Sequence, residues 1–193
     1  MEFTERDWWP APAKLNLMLR VVGRREDGYH LLQTVFRFID YCDQLKFNIT
    51  ADGSISRQFG NESIPESDDL IIKAAQLFQK ASGSAQGVAI SIRKKVPAGG
   101  GLGGGSSDAA TVLIALNRLW GIDMTPSQLS AIGLSLGADV PVFIQGEAAW
   151  AEGVGEQLTA VQLPEAWYLV LIPGCHVATA DVFRDPELTR NAP

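Results

Sequence analysis

From Leu15 to Val21 the chain reads Leu-Asn-Leu-Met-Leu-Arg-Val, so Leu15, Leu17, Leu19 and Val21 recur at every second position. That period belongs to a strand with one buried face, and it predicts a strand over 15–21. Two more strands are expected over 30–39 and 45–50, the second with Leu45, Phe47 and Ile49 alternating with Lys46 and Asn48. A helix is predicted over 70–81, capped by Ser67 or Asp68, with Leu70, Ile71, Ala74, Leu77, Phe78 and Ala81 as its apolar stripe. Val88, Ile90 and Ile92 alternate as in a strand. Asp108 to Trp120 has the spacing of a helix with Val112, Leu113, Leu116 and Leu119 inward and Gly121 as its stop. Thr125-Pro126-Ser127-Gln128 supplies an N-cap, a proline in the first turn and a glutamine at the third position, which opens a helix expected to run to Gly137.

Strands near 148–152 and 167–172 complete the pattern, with Pro164 between them as a boundary. Strands come first and the helices that follow do not alternate with them one for one, which favours an α+β fold over a doubly wound sheet. The expected division is a first domain over 1–163 and the beginning of a second over 164–193. The last stretch, from Gly174, holds Pro186 and Pro193 and no strand pattern, so this second part is expected to be incomplete.

Composition narrows the classes. The 193 residues are 46% apolar and 20% charged, the balance of a globular protein with a core and not of a disordered chain. The longest apolar run, Ala166 to Ile172, is far short of the ~20 residues a spanning helix needs, so no membrane partner is expected. Glu2, Glu5 and Asp7 stand where an export signal would be basic, and the cytoplasm is the expected location. A net charge of −6 argues against nucleic acid as a partner. Cys42 and Cys175 are too few and too far apart for a disulfide framework or a zinc site, and both are expected to be buried small hydrophobes. His176 and Trp8 are read as structural.

The most informative stretch is Gly99 to Gly105, where six of seven residues are glycine and a helix follows at Ser106-Ser107-Asp108. Glycine loses the most conformational freedom on folding and packs nothing, so such density points to close backbone approach by a ligand. Unpaired N–H groups at a helix start, with the positive end of the helix dipole behind them, suit phosphate oxygens. Arg93, Lys94 and Lys95 add positive charge upstream, and the hydroxyls of Ser106 and Ser107 are candidates for a phosphate or a magnesium ion. The Walker A loop is absent, because Ser106 stands where its lysine would be. Gly99, Gly101 and Gly104 satisfy the dinucleotide-binding spacing, but the matching acidic position, Asp123, falls in a connection between helices.

Pro97-Ala98-Gly99-Gly100-Gly101-Leu102-Gly103-Gly104-Gly105-Ser106-Ser107 resembles the ATP-binding motif of the GHMP small-molecule kinases. Pro12-Ala13-Lys14-Leu15-Asn16-Leu17, Gly23 to His30 and Leu136-Gly137-Ala138-Asp139-Val140-Pro141-Val142-Phe143 are similar to segments of one branch, the 4-diphosphocytidyl-2-C-methyl-D-erythritol kinases. The resemblance implies a GHMP N-terminal domain, a ribosomal-protein-like β-α sandwich, with an incomplete ferredoxin-like second domain. It implies an ATP-dependent kinase that uses Mg²⁺ and phosphorylates the tertiary alcohol of 4-diphosphocytidyl-2-C-methyl-D-erythritol, in the non-mevalonate route to isoprenoid precursors. By this resemblance Asp139 is the base, Lys14 the cation beside it and Asn16 a substrate contact. Tyr29 and His30 hold the cytosine, with Phe183 on the opposite side of that base, and Pro97 to Ser107 hold the ATP phosphates. The metal ligands and the oligomeric state stay open. Kinases of this kind continue into a second domain with a third glycine motif, which this sequence lacks. An unpartnered apolar face on the 167–172 strand is therefore expected, with lower stability or self-association. Two other readings stand beside it: another GHMP kinase acting on a sugar or homoserine, and a nucleotide-binding module without catalysis.

Overall fold

The longest element is a strand of 21 residues, β2 (His30–Thr50), where the polar stretch from Asp40 to Gln44 predicts a break between two strands. The computed structural model describes residues 7–174 and 179–192. β1 (Trp9–Arg24) runs antiparallel along β2 from the Trp9↔Leu45 pair to the Arg24↔His30 pair. Between Pro12 and Ala13 the register steps from Cys42 to Ile39, so β2 takes up Asp40 and Tyr41 as extra residues in a bulge and continues. Asp43 does not end the strand because its fully buried carboxylate accepts the N–H groups of Lys95 and Val96.

The opposite edge of β2 pairs with β4 (Gly87–Arg93) through Gln44–Thr50 and with β5 (Ala149–Glu152) through Thr34–Phe36. β3 (Ile55–Phe59) joins β4 in parallel and β6 (Gln157–Ala160) closes on β5. The sheet order is β3-β4-β2-β5-β6, with β1 on β2. Against it pack α1 (Leu70–Ser82) and α2 (Gly104–Leu119), while α3 (Pro126–Leu134) and α4 (Val140–Gln145) pack mainly on these helices and on each other. One core holds Phe36, Leu45, Val88, Ile90 and Ile92 from the strands with Ile71, Phe78, Val112, Leu113, Leu116 and Val142 from the helices. Each such side chain contributes about 1.5–3 kcal/mol by leaving water. A two-layer α+β architecture is the result, as the grouping of strands and helices predicts.

Several elements differ from the pattern-based expectation. The N-cap of α1 is Asp69, not Ser67 or Asp68; its carboxylate accepts from Ile71 N and is held by Arg57 of β3 at 2.6 Å. The buried stripe of α1 includes Ile72 and Ala75, while Leu77 is exposed. Leu119 of α2 is likewise exposed. α3 has the expected capping box at Thr125 and Gln128 but ends at Leu134, short of Gly137. α4 was invisible to periodicity because five of its residues, Val140 to Ile144, are all buried, leaving no polar face to set a rhythm. β3 and β6 are short edge strands with half-buried and exposed positions, and α5 (Thr179–Arg184) has fewer than two turns.

On β1 the expected face of Leu15, Leu17, Leu19 and Val21 is not a buried face: Leu17 and Leu19 are exposed and only Val21 is buried. A second bulge at Leu17, between the pairs Asn16↔Phe36 and Met18↔Val35, shifts the alternation by one residue. The strand expected over 167–172 is absent. Residues 161–173 form neither helix nor strand, no neighbouring strand supplies ladder partners, and Trp167, Leu169 and Leu171 are 101%, 87% and 80% exposed. Arg37 holds this segment by donating to the Pro164 carbonyl at 2.8 Å. Cys42 is half-buried, Trp8 packs under the Arg93 guanidinium at 4.0 Å, and Cys175 and His176 lie outside the described residues. Among the described residues no helix is long and apolar enough to cross a membrane.

Candidate active site

The bulge at Leu17 puts Lys14 and Asn16 on the same side of β1 as Leu19 and Val21, and all four line a cleft of about 1360 Å³. Lys14 is 5% exposed. Its ammonium donates to Asn16 Oδ1 at 2.6 Å, lies 3.3 Å from Asp139 Oδ2 and sits 5.2 Å above the Phe36 ring. Asn16 in turn donates to Thr34 Oγ1 at 2.7 Å, and Thr34 donates to the Met18 carbonyl at 2.6 Å. This chain of bonds fixes the amide of Asn16 and leaves Lys14 one carboxylate to face. Asp139 supplies it from the first position before α4, where it makes no capping bond of its own. A buried ammonium costs little only when its donors are satisfied, and here the cation, the amide and the carboxylate satisfy one another.

The glycine loop crosses the mouth of this cleft and is tied to β1 through Leu102. The Leu102 side chain is buried against Ala13 and Val96, and its carbonyl accepts the Lys14 N–H at 2.9 Å. On either side of this anchor, Gly101 and Gly103 adopt positive φ (71° and 72°). Gly101 has open space where a side chain would stand, whereas a Cβ at Gly103 would come within 2.8 Å of the Phe143 ring and 3.2 Å of Lys14 Cγ. α2 begins at Gly104, four residues before the expected Asp108, and its N-cap Gly103 offers no side-chain bond. The last glycines of the run therefore form the first helical turn, whose N–H groups lack partners within the helix.

Gly99, Gly100, Gly101 and Gly103 line the cleft with Ala138 and Asp139. Pro97, Ala98, Leu102, Gly104, Gly105, Ser106 and Ser107 lie outside its lining. Leu102 is buried as the anchor, and Ser107 is fully buried in the helix. The basic run upstream is largely committed elsewhere. Lys94 bridges Asp43 Oδ2 at 2.5 Å and Asp108 Oδ2 at 2.7 Å, joining β2 to the start of α2, and Lys95 lies over Tyr41. Burial pushes the Asp108 carboxyl up to about 7, with the Asp43 charge adding to the rise and Lys94 opposing it.

At the far end of the cleft stand Tyr29, His30 and Phe183. Tyr29 leaves the Asp27-Gly28 turn, its N–H donating to Asp27 Oδ1, and is largely exposed. Phe183 stacks on the His30 ring with centroids 5.0 Å apart and planes 20° apart. Arg190 donates to His30 Nε2 at 3.2 Å. The cleft thus gathers Lys14, Asn16, Tyr29, His30, Asp139, Phe183 and four glycines, contributed by β1, the β1–β2 turn, the start of β2, the loop before α2, the loop before α4 and α5. Sequence reading missed Thr34, Arg190 and the Asp43–Lys94–Asp108 bridge. A carboxylate inside an apolar strand is a signal for the bridge, since burial demands a partner; nothing local marks Arg190.

Residues 69–147 match the family described as GHMP kinases N terminal domain, which covers α1 to α4 and the whole glycine loop. The 4-diphosphocytidyl-2-C-methyl-D-erythritol kinase of Nitrosomonas europaea is 61% identical over 186 residues, covering 96% of this chain and 67% of that protein. The protein of the same name from Nitrosococcus oceani is 60% identical over 183 residues, covering 95% of this chain and 65% of that one. A crystal structure of 4-(cytidine 5'-diphospho)-2C-methyl-D-erythritol kinase superposes with a TM-score of 0.78 at 40% identity, over 93% of this chain and 65% of that chain. Within the GHMP kinases, the chain belongs to the 4-diphosphocytidyl-2-C-methyl-D-erythritol kinase family. It spans about two thirds of the length of these relatives, or slightly less.

Proposed function

We propose that this chain carries the substrate- and phosphate-binding part of a kinase that moves the γ-phosphoryl group of ATP to the tertiary hydroxyl of 4-diphosphocytidyl-2-C-methyl-D-erythritol. The observation that carries the reading is the Lys14–Asp139 pair, 3.3 Å apart, in the same cleft as the glycine loop on one side and the aromatic end on the other. Phosphoryl transfer asks the protein mainly for positioning and charge stabilisation. Asp139 accepts the proton of the attacking hydroxyl, and the new O–P bond forms as the bond to the leaving ADP oxygen breaks. Lys14 orients that carboxylate and offsets negative charge gathering on the transferred group, while Asn16, fixed by Thr34, offers its amide to the alcohol. The glycine loop supplies N–H groups to the phosphates. Tyr29, His30 and Phe183 take the cytosine.

Mg²⁺ in such sites uses one or two protein carboxylates with phosphate oxygens as further ligands. Asp27 and Asp139 are the carboxylates lining the cleft, and Asp139, 36% exposed beside Lys14, is the one that would hold the ion. Among the described residues no cluster of three or more His, Cys, Asp or Glu is arranged to hold a metal alone, so the nucleotide would bring the remaining ligands.

The test is coupled ADP release from ATP and Mg²⁺ with the cytidylyl substrate, with galactose and homoserine as controls. Turnover with the cytidylyl substrate alone, reduced about 10²–10⁴-fold by Asp139→Asn, is expected if Asp139 is the base. Equal turnover with a control would move the chain to a different substrate class. Nucleotide binding without turnover would instead support a binding module that needs more protein for catalysis.

A further inference from the structure

Arg190 uses its guanidinium on four acceptors at once. Nε donates to His30 Nε2 at 3.2 Å, Nη1 to the Leu188 carbonyl at 3.0 Å, and Nη2 to the Phe183 and Asp185 carbonyls at 3.1 and 2.7 Å. A guanidinium has no lone pair to give, so in the first of these bonds the imidazole is the acceptor. An imidazole that accepts at Nε2 is neutral and carries its proton on Nδ1. Partial burial, then the charges of Arg190 and Arg24, lower the His30 pKa and favour the same neutral form. The ring is also fixed in space: one face carries Phe183, and the residue after next, Ala192, donates to the Val21 carbonyl at 3.0 Å and ties this tail to β1.

We infer that Arg190 is a positioning residue for the aromatic end of the cleft: it fixes the tautomer and orientation of His30, so that the ring has only an Nδ1–H donor left for a ligand and pairs with an acceptor, not a donor, at the facing position of a heterocycle. The inference rests on the reading above that a nucleobase occupies this end. Cytosine meets the requirement, since its ring N3 accepts. Uracil has an N–H at that position and would set donor against donor, leaving both unpaired. A residue remote in sequence from the turn that bears Tyr29 and His30 thus sets which pyrimidine that turn accepts.

The test has two parts. ¹⁵N spectra of the wild-type chain, with His176→Gln to assign the two histidines, are expected to show His30 as a single Nδ1–H tautomer. Arg190→Met, which keeps the stem and removes the donors, is expected to turn that signal into a mixture. Calorimetric titration with cytidine 5'-diphosphate and uridine 5'-diphosphate is expected to show a preference of about tenfold for the cytidine compound in the wild type. In Arg190→Met the preference falls to within about twofold while affinity for a non-hydrolysable ATP analogue is kept. A wild-type His30 protonated at Nε2 overturns the proposal without any variant, and so does an Arg190→Met protein that keeps both the tautomer and the preference. Failure of the wild type to bind either diphosphate overturns the nucleobase reading, and the tautomer spectrum distinguishes that failure from a failure of Arg190 to control the ring.

Discussion

Lys14, Asn16 and Thr34 owe their usefulness to saturation. Lys14 Nζ meets Asn16 and Asp139, Asn16 also donates to Thr34, and Thr34 donates on to the Met18 carbonyl, so each side chain is held by the next. Gly103 belongs to the same small machine, because its missing side chain lets the loop close on Phe143 and on the stem of Lys14. Gly103→Ala is therefore expected to combine positive-φ strain with a clash. The stability cost is about 1–3 kcal/mol by thermal melting. Nucleotide affinity should fall too, because the loop and Lys14 are displaced together; a melt within 1 °C of wild type, a shift well below about 1 kcal/mol in a domain this size, would show that the site relaxes freely. Lys14 and Asp139 were legible in the sequence only through resemblance, since a lysine in a strand and an aspartate after a glycine have many ordinary uses. Arg190 was not legible at all: its role exists only where α5 and its tail meet the start of β2.

At the scale of elements, the join between β2, β4 and α2 is made by charge. Asp43, Lys94 and Asp108 hold two carboxylates on one ammonium, and the loop that follows β4 inherits its position from them. Asp108 titrates near 7 in the folded chain against 3.8 for the free side chain. Between those values the folded state holds a proton that the unfolded state has released, so this group's contribution to stability declines as pH rises from about 4 to about 7. Wild type is thus expected to lose more stability than Asp108→Asn between pH 5 and pH 8 in urea unfolding. One pKa unit is worth about 1.4 kcal/mol, enough to resolve. Parallel curves for the two proteins would mean that Asp108 is ionised across the range. α3 showed itself by its capping box, whereas periodicity found α1, which has a wet face and a dry one, and α2, whose apolar spacing shows although Ser107 to Leu116 are almost all buried. It missed α4, dry all round, and it split β2 at a bulge that only the pairing with β1 can absorb.

The whole molecule presents one conspicuous liability, the irregular run after β6 with Trp167, Leu169 and Leu171 in solvent. Val170 packs against the Ala13, Val96 and Leu102 cluster, and Arg37 holds the Pro164 carbonyl and lies over Tyr168, so the segment is held in place while Trp167, Leu169 and Leu171 stay bare. Exposed apolar rows of this kind drive association. Sedimentation of the 193-residue chain is expected to show concentration-dependent self-association, abolished by a Trp167→Glu, Leu169→Lys, Leu171→Glu variant with an unchanged melt. A clean monomer for the wild type at all accessible concentrations would contradict this.

The sequence by itself determined the fold class, the existence of α1, α2 and α3, the strand alternation of β4 and the glycine-dense loop at the start of a helix. These follow from local rules: repeat period, caps, and the conformational cost of glycine. Tertiary structure alone decided which face of β1 is the working face, because a bulge at Leu17 reverses the alternation and is set by pairing with β2. It also decided that the helix starts inside the glycine run, that Lys94 is tied to two buried carboxylates, and that Arg190 reaches back 160 positions to His30. Each of these depends on contacts between segments far apart in the chain, where partners are chosen by burial and by the need of every buried charge for a counterpart.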